Sequence, residues 1–221
     1  MGSSDIWVSK RATVSDDWGE PQVVREVNGP TKDSTPRISA DGLTLWISSD
    51  RDGCVGALDI WRSTRATRED AWSVPVCVTE LNSATADSSA AANASLLTLV
   101  LTTERPDAVD SDLYWTKRDG LTAPWPTPML IPNVNTDEDE GGSQLVEGDL
   151  KLYFSSSGRS ESSDLYVASR STTEEDFNQI EPISELNTDA EETSPWISED
   201  GRYIVFSSNR HGMLDLYEAF R

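Results

Sequence analysis

A tripeptide of aspartate, aliphatic and aromatic residues returns five times along the chain and constrains its fold more than any other feature. The copies are Asp5-Ile6-Trp7, Asp59-Ile60-Trp61, Asp112-Leu113-Tyr114, Asp164-Leu165-Tyr166 and Asp215-Leu216-Tyr217, starting 54, 53, 52 and 51 residues apart. An arginine follows each aspartate by six residues: Arg11, Arg65, Arg118, Arg170 and Arg221. An aromatic follows the first four by thirteen (Trp18, Trp72, Trp125, Phe177) and an asparagine by twenty-three (Asn28, Asn82, Asn135, Asn187). A second arginine lies twenty-three residues beyond the asparagine at Arg51, Arg105 and Arg210, and twenty-four at Arg159. The gap from there to the next aspartate runs 8, 7, 5 and 5 residues and holds nearly all the length variation. This is a rigid unit with one variable loop, the signature of a stacked repeat architecture.

The unit is built of strands. Leu43–Ser48, Leu97–Leu101, Leu150–Phe154 and Tyr203–Phe206 are short runs rich in β-branched and aromatic residues, bounded by turn residues. The aspartate tripeptides open a second strand, and Pro21–Val24, Val74–Val78 and Met129–Ile131 supply a third. A fourth, more polar strand precedes the hairpin turns at Asp41-Gly42 and Asp200-Gly201. No window of a dozen residues carries a 3.6-residue pattern, so helix is not expected.

Four strands per unit predict propeller blades, because a lone four-stranded sheet cannot bury both faces and must stack on neighbours around an axis. Within a blade the order is an inner strand (near Pro36, Ala90, Ser143 and Pro195), the Leu-rich strand, the aspartate strand and the outer Pro-Val strand. The expectation is a single all-β domain over 1–221, a β-propeller of four-stranded antiparallel blades. Its units span approximately 5–58, 59–111, 112–163 and 164–214, with a duplicated terminal strand over 215–221. Four blades result if the ring closes, with Pro21–Val24 completing the blade begun at Ser194. One aspartate strand is then surplus, leaving Ser4–Lys10 displaced or shared between two chains. The alternative is a fragment of a propeller with five or more blades.

Aligned, the unit reads Asn-x4-Asp/Glu-x2-Pro-x2-Ser-x-Asp-Gly-x2-Leu-x-Phe-Ser-Ser-x-Arg, then Asp-Ile-Trp. The fourth unit carries it most fully, through Asn187, Glu192, Pro195, Ser198, Asp200, Gly201, Phe206, Ser207, Ser208, Arg210 and Asp215. The pattern resembles the PD40, or WD40-like, β-propeller repeat of TolB-like bacterial envelope proteins, over essentially the whole chain. Ser95-Leu96 and Gly148-Asp149 replace Asp-Gly in the second and third units, so those hairpins are expected to turn differently. The resemblance implies a bacterial protein of the periplasm or cell surface with a protein- or ligand-binding role, and no single activity.

Charge narrows the partners. Against 39 acidic residues stand 18 Lys and Arg, a formal net charge of −21. That balance excludes nucleic acid and anionic membrane surfaces as natural partners. No stretch approaches the roughly 20 apolar residues of a membrane span, so no membrane insertion is expected. Met1-Gly2-Ser3-Ser4 has neither a basic nor an apolar region of a secretion signal. Cys54 and Cys77 match no metal spacing and outline no disulfide framework.

Acidic side chains converge on the loops between outer and inner strands. The Asn-x4-acid pattern places Asp33, Asp87, Glu140 and Glu192 there, with Asp137, Glu138, Asp139, Asp189 and Glu191 beside them. The variable hairpin loop, on the same side of a propeller, adds Asp50, Asp52, Asp107, Asp110 and Glu161. The candidate ligand-binding rim is therefore Asp33, Asp87, Asp137, Asp139, Glu140, Asp189 and Glu192. The repeated pairs Arg51 with Asp59, Arg105 with Asp112, Arg159 with Asp164 and Arg210 with Asp215 read as structural ion pairs, since identical residues in every blade do not separate the roles of acid and base. The thirteenth-position aromatics read as plugs between blades. The single histidine, His211, sits in a tight polar loop and no Gly-x-Ser-x-Gly motif accompanies it, so no catalytic residue is named. No cofactor is expected; calcium is the cation the rim carboxylates would suit, although no EF-hand spacing exists. The function expected is a non-catalytic binding propeller, engaging a protein or glycan as a monomer or strand-sharing dimer. The alternatives are a glycan-processing hydrolase using rim carboxylates and a structural propeller fragment of a larger envelope protein.

Overall fold

The computed structural model describes residues 2–220; Met1 and the last repeat arginine, Arg221, lie outside the described residues. Seventeen strands and no helix make up the described chain. A two-stranded ribbon comes first, β1 (Trp7–Val8) with β2 (Gln22–Val23). Blade 1 is β3 (Asp33–Ile38), β4 (Thr44–Ser49), β5 (Asp59–Thr64) and β6 (Val76–Cys77). Blade 2 is β7 (Asp87–Ala92), β8 (Thr98–Thr103), β9 (Asp112–Lys117) and β10 (Met129–Leu130). Blade 3 is β11 (Glu140–Val146), β12 (Lys151–Ser156), β13 (Asp164–Ser169) and β14 (Gln179–Pro182). Blade 4 has three strands, β15 (Glu192–Ile197), β16 (Tyr203–Ser208) and β17 (Asp215–Phe220). All pairings within blades are antiparallel and sequential, giving a four-blade β-propeller with the expected strand order.

The blades stack through separate apolar layers. Trp46 and Ile60 of blade 1 meet Leu99, Leu101 and Tyr114 of blade 2. Val100 and Leu113 of blade 2 meet Leu152, Phe154 and Tyr166 of blade 3. Tyr153 and Leu165 of blade 3 meet Ile204 and Phe206 of blade 4. Each fully buried side chain of this size stabilises by about 1.5–3 kcal/mol, so these layers supply most of what holds the ring.

The closing strand is not where the sequence suggests. Gln22–Val23 pairs with Trp7–Val8 of its own ribbon and not with blade 4. The reason is local: the connection between the two strands is folded back by the Gly19 N–H on the Lys10 carbonyl, and the Asn28 amide ties Ile6 to the turn that follows β2. The surplus strand is displaced, as one of the expectations had it: β1 belongs to none of the four blades. Ile6, Val24 and Val27 cover the outer face of blade 1 against Leu45, Ile47 and Trp61. On its other side the ribbon meets blade 4, where Arg11 donates to Glu218 at 2.9 Å and to the Tyr203 hydroxyl at 3.0 Å. The ribbon therefore fills the joint between blades 4 and 1, and a cleft of about 650 Å³ remains there beside Trp18, Pro21, Leu216 and Tyr217.

Every inner strand carries a bulge at the same level. The ladder slips between Ser34 and Arg37, Ser88 and Ala91, Gly141 and Gln144, and Thr193 and Trp196. The residues that absorb the slip, Thr35, Ser89, Gly142 and Ser194, all have left-handed φ, from 44° to 61°. At the hairpins, Leu96 takes the left-handed place of Gly42 and Gly201 and donates the same turn hydrogen bond, to the Asn93 carbonyl, so the second unit turns as the first and fourth do. The third differs, with Glu147, Gly148 and Asp149 all left-handed.

Cys54, in the longest variable loop, is disulfide-bonded to Cys77 of β6. One cross-link inside one blade leaves no repeated cysteine pattern, which is why the spacing alone did not reveal it.

Candidate functional site

The repeated asparagine is the hinge of each blade. The Asn82 amide oxygen accepts from the Ile60 N–H at 2.7 Å, and its NH₂ donates to the Ile60 carbonyl at 3.0 Å. Asn135 grips Leu113 at 2.8 and 3.1 Å, and Asn187 grips Leu165 at 2.9 and 3.0 Å. The asparagine thus holds the aspartate strand to the loop leading into the next blade. Its period was visible in the sequence, but the partner, a backbone amide twenty-two residues earlier, was not. Asn135→Ala is expected to cost about 2 kcal/mol, since the three hydrogen bonds of its side chain go and the buried Leu113 N–H loses its partner, while the Leu113 carbonyl keeps the Ile131 N–H. Urea denaturation checks it.

The acids five residues later do not form a rim. Asp33, Asp87, Glu140 and Glu192 are each at most 1% exposed. Each turns back and accepts from the N–H that follows the asparagine: Gly29 at 2.6 Å, Ser83 at 2.5 Å, Thr136 at 2.7 Å and Thr188 at 2.7 Å. Ser156 and Ser208 hydroxyls add bonds of 2.5 and 2.6 Å to Glu140 and Glu192. These four carboxylates pin the incoming loops and present almost no surface to solvent, Glu140 forming part of the floor of the depression described below.

They also take the arginines. Arg51 pairs with Asp33, Arg105 with Asp87 at 3.5 Å and Arg210 with Glu192 at 3.0 Å, in place of the expected Asp59, Asp112 and Asp215. Arg159 donates to the Val134 carbonyl, and no ion pair joins it to Asp164 among the described residues. The competition is decided by the loops. Asp59 already accepts from the Val55 and Gly56 N–H groups, and Asp112 from that of Val109. Burial pushes both of those carboxyls up, and the backbone donors only partly offset it. Asp215 is exposed. The arginine instead lies over the aromatic two residues past the aspartate, as Arg210 does over Tyr217 at 4.8 Å.

The other arginine of each unit has a different task. Arg65, Arg118 and Arg170 stack on Trp72, Trp125 and Phe177 at 4.3, 4.1 and 4.6 Å. Their Nε atoms donate to the carbonyls of Gly42, Leu96 and Asp149, which fastens the hairpin tip. Trp125 and Phe177 are buried, as plugs would be, whereas Trp18 is half exposed at the joint. His211 is exposed, its Nδ1 2.8 Å from the Tyr217 hydroxyl.

Of the candidate rim, Asp137, Asp139 and Asp189 are exposed. Asp139 lies with Glu161 and Glu191 around an open depression of about 520 Å³, whose wall also includes Thr102, Ser111 and Ser157. Its walls come from blades 2, 3 and 4, at the beginnings of their inner strands. Asp139 accepts from the Ser111 N–H at 3.2 Å and Glu191 from the Asn209 side chain at 3.0 Å, so both are positioned yet reach solvent. Asp137 and Asp189 stand on the same incoming loops outside the depression. No group of three or more His, Cys, Asp or Glu among the described residues is arranged to hold a metal ion.

No protein-family model matches the sequence, and no curated protein aligns with it. Solved structures with a similar fold include a thermostable family-43 glycoside hydrolase, with TM-score 0.60 and 12% identity over 93% of this chain and 79% of that one. A putative TolB from Agrobacterium tumefaciens has TM-score 0.58 and 17% identity over 91% of this chain and 62% of that one. TolB from Acinetobacter baumannii has TM-score 0.55 and 13% identity, over 91% of this chain and 43% of that one. The chain thus spans about half the length of the TolB proteins it resembles. At these identities the likeness is one of fold.

Proposed function

We propose that this chain is a non-catalytic binding propeller of the PD40, TolB-like kind, engaging a protein or glycan through the acidic depression over blades 2 to 4. The observation that carries the reading is the convergence of Asp139, Glu161 and Glu191 on one open hollow. Three uncompensated carboxylates there attract ammonium and guanidinium groups and accept from hydroxyls, the chemistry of a basic peptide or a neutral sugar. A hydrolase needs two free carboxyl groups flanking one bond. The four acids that open the inner strands are consumed inside their own blades, and of the free carboxylates in the hollow Asp139 and Glu191 each already accept from a neighbouring donor, which supports binding over catalysis. A periplasmic or cell-surface location agrees with the Cys54–Cys77 bond, since disulfides persist in oxidising compartments. The ribbon packs into the joint of its own chain, which favours a monomer over a strand-sharing dimer.

The test is binding to arrayed neutral glycans and lysine-rich peptides by wild type and by the triple variant Asp139→Lys, Glu161→Lys, Glu191→Lys. Wild type is expected to bind one class, with strong salt dependence for the lysine-rich peptides and little for the neutral glycans. The variant, folded by circular dichroism, is expected to lose about tenfold or more of that affinity. Equal binding by the two proteins, or binding to neither class, rejects the reading.

A further inference from the structure

Every aspartate strand but one is covered on its outer edge by the same short segment. β2, β6, β10 and β14 each run into an aliphatic residue, two variable ones, a second aliphatic and the asparagine. The four copies are Val24-x2-Val27-Asn28, Val78-x2-Leu81-Asn82, Ile131-x2-Val134-Asn135 and Ile183-x2-Leu186-Asn187. The first aliphatic donates its N–H to the carbonyl of the residue after the aspartate, Ile6, Ile60, Leu113 or Leu165, and the asparagine takes that residue's N–H. Both aliphatics pack with its side chain, and these four residues are at most 5% exposed.

Leu216 is the fifth residue of this kind, and none of this reaches it. β17 is the open edge of a three-stranded blade, and among the described residues no backbone N–H meets the Leu216 carbonyl and no asparagine meets its N–H. Leu216 stands opposite Ser207 as Ile60 stands opposite Ser48, so both groups point out of the edge. Its side chain is 78% exposed, with Met213, Leu214 and Phe220 exposed beside it. A solitary domain blunts such an edge with lysine, proline or a cover. β17 holds neither residue, and its Glu218 is already taken by Arg11. The cleft of about 650 Å³ opens beside this edge, and the charged residues of its lining are Glu20 and Glu218.

We propose that the open edge of blade 4 takes up, as its fourth strand, an extended segment of a partner protein that reads aliphatic-x2-aliphatic-Asn with basic residues around it. Added strands of this kind bind through the backbone ladder and gain specificity from the pockets that receive their side chains. The pattern is set by the four segments that fill the equivalent place. Basic residues answer Glu20, Glu218 and a chain of charge −21. A second copy of this chain has no segment to spare, because all four of its matching segments are bonded within their own units. The edge shares no residue with the acidic hollow of Asp139, Glu161 and Glu191.

The probe is a labelled peptide copying residues 179–188, with lysine in place of Glu181 and Glu185, titrated into the full chain by fluorescence anisotropy. It is expected to bind about tenfold or more tightly than its scrambled sequence, and alanine for its asparagine to cost about fivefold. Leu216→Gln, at an exposed position, is expected to fold as wild type and to lose about tenfold in affinity. Bound peptide is expected to slow hydrogen exchange of the Leu216 amide. The triple variant of the acidic hollow, at salt high enough to screen distant charges, is expected to bind the peptide as wild type does, which separates this edge from that reading. Equal binding of the scrambled peptide, an unprotected Leu216 amide, or binding lost with the hollow overturns the proposal. So does a dimer of the free chain that Leu216→Gln returns to monomer, since a second copy would then hold the edge.

Discussion

Glu192→Ala is expected to cost about 2–4 kcal/mol, because it removes a fully buried carboxylate that the part-buried Arg210 and the incoming loop at Thr188 both use. Arg210, the Thr188 N–H and hydroxyl, and the Ser208 hydroxyl all end on this one group. Asp59→Asn is the control. Asp59 makes no ion pair among the described residues, and burial already penalises its charge, so the amide is expected to change stability by at most about 1 kcal/mol, towards greater stability. Were Asp59 the partner of Arg51, that substitution would be costly as well. Urea midpoints of the two variants at pH 7 decide between the pairings.

The same residue sets part of the acid limb. Burial alone pushes the Glu192 carboxyl up, but bonds from Ser208, Thr188 and Arg210 outweigh it and hold the group below its ordinary 4.5. A carboxylate depressed by folding contributes stability that is complete above its unfolded value and lost as pH falls through the folded one. Wild type is therefore expected to weaken below about pH 4.5, and Glu192→Gln to weaken less steeply over that window. Parallel slopes for the two proteins would remove Glu192 from the account.

Reduction of Cys54–Cys77 is expected to remove about 3 kcal/mol, the loop-closure entropy for a bridge spanning 23 residues. The bond joins the longest variable loop to β6, a strand of only two residues, so its loss falls on the edge of blade 1. Urea unfolding with and without reductant measures it, with Cys77→Ala as the permanent equivalent. An unchanged midpoint would mean that the loop is held by the Asp59 contacts alone.

The propeller was legible because its marks are local and repeated: strand-length apolar runs, turn glycines and a counted period. Partner choice was not. Arg51 stands 8 residues before Asp59 and 18 after Asp33, and nothing linear says that the farther acid wins. What decides is which carboxylate the backbone has already claimed, a fact of three dimensions. For the same reason Asp33, Asp87, Glu140 and Glu192 read as a charged rim although they are buried. The rim acids that stay in solvent, Asp137, Asp139 and Asp189, stand at positions that are acidic only in the third and fourth units; Pro30, Lys32, Ala84 and Ala86 take those places in the first two. The disulfide escaped because it occurs once.

The joint beside the ribbon has a mechanical consequence. Three interfaces of the ring are apolar layers between sheets, but blade 4 meets the ribbon largely through the Arg11 clasp on Glu218 and Tyr203 and an open cleft. No strand is shared across that seam. The molecule is energetically an open array of nearest-neighbour contacts bent into a circle, more split washer than closed hoop. An array of this kind comes apart from its ends inwards, so the outermost blade breathes on its own while the middle blades stay protected by a neighbour on each side. The seam, with its salt-sensitive clasp, then sets how often the circle opens.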